Sequence, residues 1–326
     1  MDGVNEEDSL TMNSNTLTTS NSPIKPKAFP PNQSGYVSVT TDVRLYYEIR
    51  SSSTPAATKL IMIMGAFATL KHFDELAQFV VDTLSTSIEV LTYDHRGMGR
   101  SVPCSQKMKQ TPRLLAQDAL SLINQVWGTT SKVHVHGASL GGMVAQELAL
   151  LLIAEKRLLS LYLAVTSRGS YLKPMAFLGS GTWSLLMPFL IKSNKERMVR
   201  DVLIPSTFTP GTPSCEFYAR LWNDEYEQWF SFHDREACAC QCSVVGTHYL
   251  TDNGARLIRD SNVPITVQIS LKDKLMAPKK QQELAKILKA KTVMSDQGHM
   301  GDNEVKQEIF ETVLKHLEEA VQHLPD

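Results

Sequence analysis

At 326 residues the chain has room for one large domain, with two as the outer limit. Its 42% hydrophobic and 21% charged residues match an ordinary soluble protein rather than a low-complexity one. A net charge of -1, with no long basic run, argues against a nucleic-acid partner.

The N-terminus lacks an apolar core and opens with Asp2, Glu6, Glu7 and Asp8, which argues against a secretory signal or a mitochondrial presequence. The closing residues, "QHLPD", match no retention or lipidation signal. Five cysteines, an odd number, then suggest reduced thiols and a cytoplasmic setting. The glycosylation pattern at Asn32 carries no meaning without secretion. Residues 1–34 are polar and without apolar periodicity, so they are expected to be a disordered tail.

From there the pattern becomes regular. "YVSVTT" and "VRLYYEI" read as antiparallel strands meeting at a turn near Asp42. "KLIMIMG" (59–65) and "IEVLTYD" (88–94) are apolar runs of the kind buried parallel strands show, separated by an amphipathic helix, "HFDELAQFVVDTLS". A helix follows over 111–128, with Thr111 as its cap, Pro112 at its first position and Gly128 as its stop. The strand "SKVHVH", the buried helix "MVAQELALLLIAEK" and the strand "LLSLYLAV" (158–165) continue the alternation. The rhythm breaks at "TSRGS" (166–170) and resumes with strand "PITVQISLKD", helix "PKKQQELAKILKA", strand "KTVMS" and a terminal helix. Alternating strands and helices predict an α/β fold, a mostly parallel, doubly wound sheet with a helical insertion late in it. The expected division is a core over 35–166 and 251–326 and a helical cap over 167–250.

Within that cap, residues 174–191 carry no charge, which brushes the lower length for a membrane span. Pro174, Gly179, Gly181 and Pro188 make a continuous helix poor. The preferred reading is an apolar wall of a substrate cleft, with Trp183, Leu185 and Met187 against substrate; peripheral contact with lipid is the alternative, not an integral span. Trp222 and Trp229 extend the apolar theme.

Ser139 stands in "HGASLGGM" between a strand and a helix, flanked by Gly137, Gly141 and Gly142. A serine at such a turn sits in a strained backbone that only small neighbours tolerate, and its hydroxyl projects at the end of the sheet. A hydroxyl becomes a nucleophile when a base removes its proton and a third group orients the base. Functional groups of open parallel sheets gather beyond the strands' carboxyl ends, and two suitable residues follow the last two strands: Asp273 and His299. The order Ser139, Asp273, His299 is that of hydrolases with a nucleophile elbow. Asp296, in the histidine's own loop, is the rival acid, and His134 and His136 read as core or rim. The developing oxyanion would need the backbone N–H of Leu140 and a second from the loop after "KLIMIM", Ala66 first and Phe67 second.

"HGASLGGMVAQ", "YDHRGMGRS", "IMGAFAT", "SLKD" and "GHMGD" together resemble the α/β-hydrolase superfamily over residues 36–322. The resemblance implies Ser139 as nucleophile, His299 as base and Asp273 as its orienting acid. It also implies that "DHRGMGRS" (94–101) shapes a wall near the site without doing chemistry. Met64 and Ala138 depart from the histidines common at those places, which blurs the subfamily. Relatives that open epoxides or remove halogens carry aspartate at the elbow, so a serine points to acyl transfer. The expected activity is cleavage of a small-molecule carboxylic ester with an apolar part, without metal or organic cofactor. Thioester, amide or C–C cleavage on the same residues, or a non-catalytic small-molecule-binding protein, are the alternatives. "CACQC" (238–242), with His233 and His248 near in sequence, leaves a metal reading open, but packed cap thiols are preferred. Cys104 has no base beside it and is assigned no role.

Overall fold

The structure is a computed structural model that describes residues 29–52, 58–101, 110–170, 207, 211, 235–300 and 303–322. The expected tail up to residue 28, the apolar stretch 174–191 with Trp183, Leu185 and Met187, and Cys104, Trp222, Trp229 and His233 lie outside the described residues.

The described residues from Pro31 onward belong to one compact unit built on an eight-stranded sheet. Its strands are β1 (Gln33–Ser38), β2 (Arg44–Ser51), β3 (Thr58–Ile63), β4 (Ile88–Tyr93), β5 (Val133–Ala138), β6 (Leu158–Ala164), β7 (Ile265–Ser270) and β8 (Lys291–Ser295). They lie in the order β1-β2-β4-β3-β5-β6-β7-β8. β1 and β2 form an antiparallel pair and β2 runs antiparallel to β4, while every later pairing is parallel. The first strand begins at Gln33, opposite Ile49, two residues before the expected start of the core.

Among the described residues the α-helices are α1 (Asp74–Thr83), α2 (Pro112–Trp127), α3 (Leu140–Ala154), α4 (Arg235–Thr247), α5 (Asp252–Arg259), α6 (Pro278–Leu288) and α7 (Asn303–Gln322). α2 starts as its sequence dictates: the Thr111 hydroxyl accepts the Leu114 N–H at 3.2 Å and Pro112 fills the first position, where no N–H is needed. α5 falls in the helix-like stretch between the expected strands at 158–165 and 264–273, where the sequence reading sets no separate bounds for it. Its signals were present, Thr251 capping Gly254 at 3.0 Å with Asp252 in the first turn and Arg256 and Arg259 in the last.

The period-2 alternation of the central strands divides the core in two. Ile61, Ile63, Val133, Val135, Leu161 and Leu163 pack with the buried faces of α2, α3 and α5 on one side of the sheet. Leu60, Met62, Tyr162 and Ala164 pack with α1 and α7 on the other. Covering on both faces is why these strands read as continuous apolar runs.

The chain moves from β3 to β4 on one side, then returns to place β5 on the other flank of β3. The carboxyl ends of β3 and β5 therefore border the crevice where strand order reverses, the place such sheets leave open for a ligand. The two ends of the 167–250 segment are stitched together at one point. Gly169 bridges Tyr249, and the Leu250 N–H donates to Arg168 O at 2.7 Å.

Candidate active site

Ser139 closes β5 and caps α3 at φ 56° and ψ -120°, a region that L residues avoid. The turn is held from several sides. Its N–H donates to Ala164 O at 2.9 Å, and its carbonyl accepts the Thr166 hydroxyl at 2.7 Å. The neighbouring glycines are required by contact. A Cβ on Gly141 would stand 2.0 Å from Ile63 O, and one on Gly137 would stand 2.4 Å from Gly141 O. Backbone cannot give way as a side-chain end can, so the helix reaches this close to β3 only without side chains.

The side chain of Ser139 meets a hydrogen-bonded chain. Asp273 follows β7 and His299 follows β8, so both loops open at the same edge as the elbow. His299 Nδ1 lies 2.7 Å from Asp273 Oδ2, and Nε2 lies 2.9 Å from Ser139 Oγ. A carboxylate only accepts, so Nδ1 carries the proton of the neutral ring and Nε2 is left to accept from the Ser139 hydroxyl. Both His299 and Asp273 are buried. Asp296 is elsewhere: it pairs with Lys272 at 2.8 Å on an exposed surface.

Three supporting residues carry no local signal in the sequence, and a fourth, His95, lies in the 94–101 turn expected to shape the wall of the site. Gln281, buried on the first turn of α6, donates to Asp273 Oδ2 at 2.9 Å and to Met276 O at 2.7 Å, and accepts the Ser270 N–H at 3.0 Å. With the Leu275 and Met276 amides on Oδ1, each at 2.8 Å, the Asp273 carboxylate is gripped at both oxygens. His95 donates from Nε2 to Met64 O at 3.0 Å, tying the 94–101 turn to the loop after β3. Burial holds that imidazole neutral, down to about 4. Thr166 and Gln241 complete the set. A glutamine on a helix or a threonine after a strand carries no local pattern that betrays such a role.

The loop after β3 lies against the elbow, where a Cβ on Gly65 would come within 3.2 Å of Ser139 Cβ. The Leu140 amide is at the first position of α3, among the donors a helix start leaves without a partner in the helix. Phe67, at φ 62°, gives its N–H to Gln241 Oε1 at 2.6 Å. No acceptor meets the Ala66 amide among the described residues.

The 94–101 turn is built around charge. Asp94 accepts the Leu70 N–H at 2.8 Å and the Arg100 N–H at 2.9 Å, and burial still pushes its carboxyl up to about 6. Arg96 forms a two-pronged pair with Asp118 of α2, its Nε at 2.6 Å. His134 and His136 are core residues: His134 bonds Ser160 Oγ at 2.8 Å, and His136 stacks on Tyr162. Cys238, Cys240 and Cys242 are thiols rather than disulfides, and among the described residues no three metal-binding side chains gather. His248 instead pairs with Gln146 at 3.2 Å, and burial pushes the Cys242 thiol up to about 11. No helix among the described residues is long and apolar enough to cross a membrane.

Comparison with known proteins finds the same fold in several hydrolases. A hydrolase from Pseudomonas aeruginosa PA01 superposes with a TM-score of 0.67 at 21% identity, covering 88% of this chain and 98% of that one. The enol-lactonase from Burkholderia xenovorans LB400 gives 0.68 at 20%, covering 87% and 99%. A thermophilic esterase from Thermogutta terrifontis gives 0.66 at 17%, covering 88% and 99%. At such identities the likeness is one of fold. In sequence, 108 residues are 31% identical to RutD of Pseudomonas savastanoi pv. phaseolicola, a protein named for carbamate hydrolysis. That match takes in 33% of this chain and only 39% of the relative's length. The model of the alpha/beta hydrolase family matches residues 65–307, well over half the chain, and the chain belongs to that family.

Proposed function

We propose that the protein is a serine hydrolase that cleaves a small-molecule carboxylic ester with an apolar part through an acyl-enzyme. One observation carries the reading: Ser139 Oγ, His299 and Asp273 form an unbroken hydrogen-bonded chain of 2.9 and 2.7 Å. As Ser139 Oγ bonds to the substrate carbonyl carbon, its proton passes to His299 Nε2. Negative charge gathers on the former carbonyl oxygen, which the Leu140 and Ala66 amides receive. The tetrahedral adduct collapses, its bond to the leaving oxygen breaks, and His299 returns the proton to that oxygen. Water then repeats the sequence on the acyl-enzyme, losing a proton to His299 and releasing the acid and free Ser139. Asp273 keeps the Nδ1–H tautomer and supports the imidazolium.

Neighbours named for lactone, ester and carbamate cleavage support acyl transfer as the reaction class. The apolar part rests on the uncharged stretch 174–191, read as a cap over the site. A cytoplasmic setting rests on the odd cysteine count and the thiol state of the three in α4. The test is labelling by a fluorophosphonate probe. Label should be taken up by the wild type and lost in Ser139→Ala and His299→Ala, and esters of rising chain length then report the acyl preference. A well-folded wild type that takes no label would overturn this reading in favour of a ligand-binding protein.

A further inference from the structure

α4 packs against α2 and α3. Its Val245 packs against Met143, one turn along α3 from Ser139, and Met276, three residues past Asp273. Ser243 donates to Gln110 O at 3.1 Å. The face it turns inward holds Ala237, Cys238, Gln241 and Val244, at helical spacing. Three of these are small or apolar. The fourth is a glutamine with no exposed surface at all.

Only one end of that carboxamide is explained. Oε1 takes the Phe67 N–H at 2.6 Å, which fixes the orientation of the amide, since the carbonyl oxygen alone can accept. Nε2 therefore points away from the Phe67 nitrogen, fully buried and without a hydrogen-bond partner among the described residues. An unsatisfied N–H is unfavourable in an otherwise apolar helix face. The group is attached to the loop whose Gly65 touches Ser139 and whose next residue is Ala66. A donor held there is suited to an acceptor that arrives with the substrate.

We propose that Gln241 is a specificity-determining residue: its carboxamide N–H is a donor for a second acceptor oxygen on the acyl part of the substrate, close to the scissile carbonyl. The substrate class is then acyl compounds carrying an ether, hydroxyl or keto oxygen within two or three bonds of the reacting carbon, rather than plain alkanoyl esters. The inference rests on the serine-hydrolase reading. A buried donor left unpaired by the wrong substrate discriminates strongly, because that substrate cannot replace the missing bond with water.

The experiment compares two esters of equal size, 4-nitrophenyl methoxyacetate and 4-nitrophenyl butyrate, which differ by an oxygen in place of one methylene. Each kcat/KM is divided by the hydroxide-catalysed rate of the same ester, to remove intrinsic reactivity. Wild type should favour the methoxyacetate by about tenfold or more. Gln241→Met, which has neither donor nor acceptor, and Gln241→Glu, which keeps an acceptor for Phe67 but has no N–H, should both bring the ratio near one. A glutamine that merely props the loop would lower both esters together and leave the ratio unchanged, and that result overturns the proposal. A wild-type ratio near one, or cleavage of neither ester, overturns it too, whether or not the variants fold. Fluorophosphonate labelling of Ser139 in the same samples separates the two failures: without label the hydrolase reading falls, and with label only the role of Gln241 falls.

Discussion

Ser139 sits in a backbone region that costs on the order of 1–3 kcal/mol, so its surroundings must over-determine it. They do, through bonds at its own N–H and C=O and through backbone contact at Gly141. Asp273 is held the same way, and Gln281 is the part of that grip easiest to remove. Gln281→Leu keeps the volume but deprives Asp273 Oδ2, the Ser270 N–H and Met276 O of a partner, each a loss of about 1–3 kcal/mol at most when buried. The expected outcome is a lower melting temperature together with a fall in kcat of roughly tenfold, KM changing little, because the carboxylate that orients His299 is no longer fixed. Steady-state kinetics beside a thermal melt would check it. Unchanged kcat in a folded variant would show that the two backbone amides suffice.

At the scale of elements, the 94–101 turn shows how a segment without chemistry shapes a site. It holds the loop after β3 through His95 and Met64 O, and α2 through Arg96 and Asp118. Both partners of the second pair are nearly buried, and burial pushes the Asp118 carboxyl up even against its arginine. Such a pair adds little over an apolar packing, but breaking one side leaves a charge with nowhere to go. Arg96→Ala should therefore cost about 3–5 kcal/mol in denaturant unfolding at neutral pH. The loss should shrink in acid, where Asp118 takes up a proton and its charge disappears. Equal destabilisation at pH 7.5 and pH 5 would mean that lost packing, not the stranded carboxylate, dominates.

At the scale of the whole molecule, the fold is loaded with neutral imidazole. His95, His134, His136, His248 and His316 are all buried. His134 and His316 share Ser160 Oγ at 2.8 and 2.9 Å, and His316 also bonds Thr266 at 2.9 Å. Burial lowers His95 and His134 to about 4 and His136, His248 and His316 to about 3. A group lowered on folding is protonated first in the unfolded chain, so its stabilisation is intact above 6.5 and lost as pH falls from 6.5 towards 4. Each contributes about 1.4 kcal/mol per pH unit within that window. Asp94, raised to about 6, acts with the opposite sign below pH 6, as do Asp74, Asp118 and Glu147, whose carboxyls burial also raises, but these are four protons against six once His72, lowered to about 4, joins the five imidazoles. The melting temperature should therefore fall steeply between pH 6.5 and 4.5. His136→Phe, which can keep the stacking on Tyr162, should lessen that fall while changing little at pH 7.5. Parallel melting curves with and without the substitution would contradict this account.

The strands, the long helices and the order of Ser139, Asp273 and His299 could be read from the chain because each depends on local pattern: period-2 apolar runs, capped amphipathic segments and glycines at a turn. Boundaries shifted by one to three residues, and α5 was not set apart because eight residues make little more than two turns, a short stretch for a periodic pattern despite a sound cap. The sequence by itself therefore determined the layer architecture and which residue types could carry acyl transfer. Only the tertiary structure decided what supports them. Gln281 grips Asp273, His95 ties down the β3 loop, and Gln241 reaches Phe67 across 174 residues of chain. The physical reason is that a hydrogen bond between distant segments depends on where the sheet brings them, and that geometry leaves no periodicity in the residues that make it.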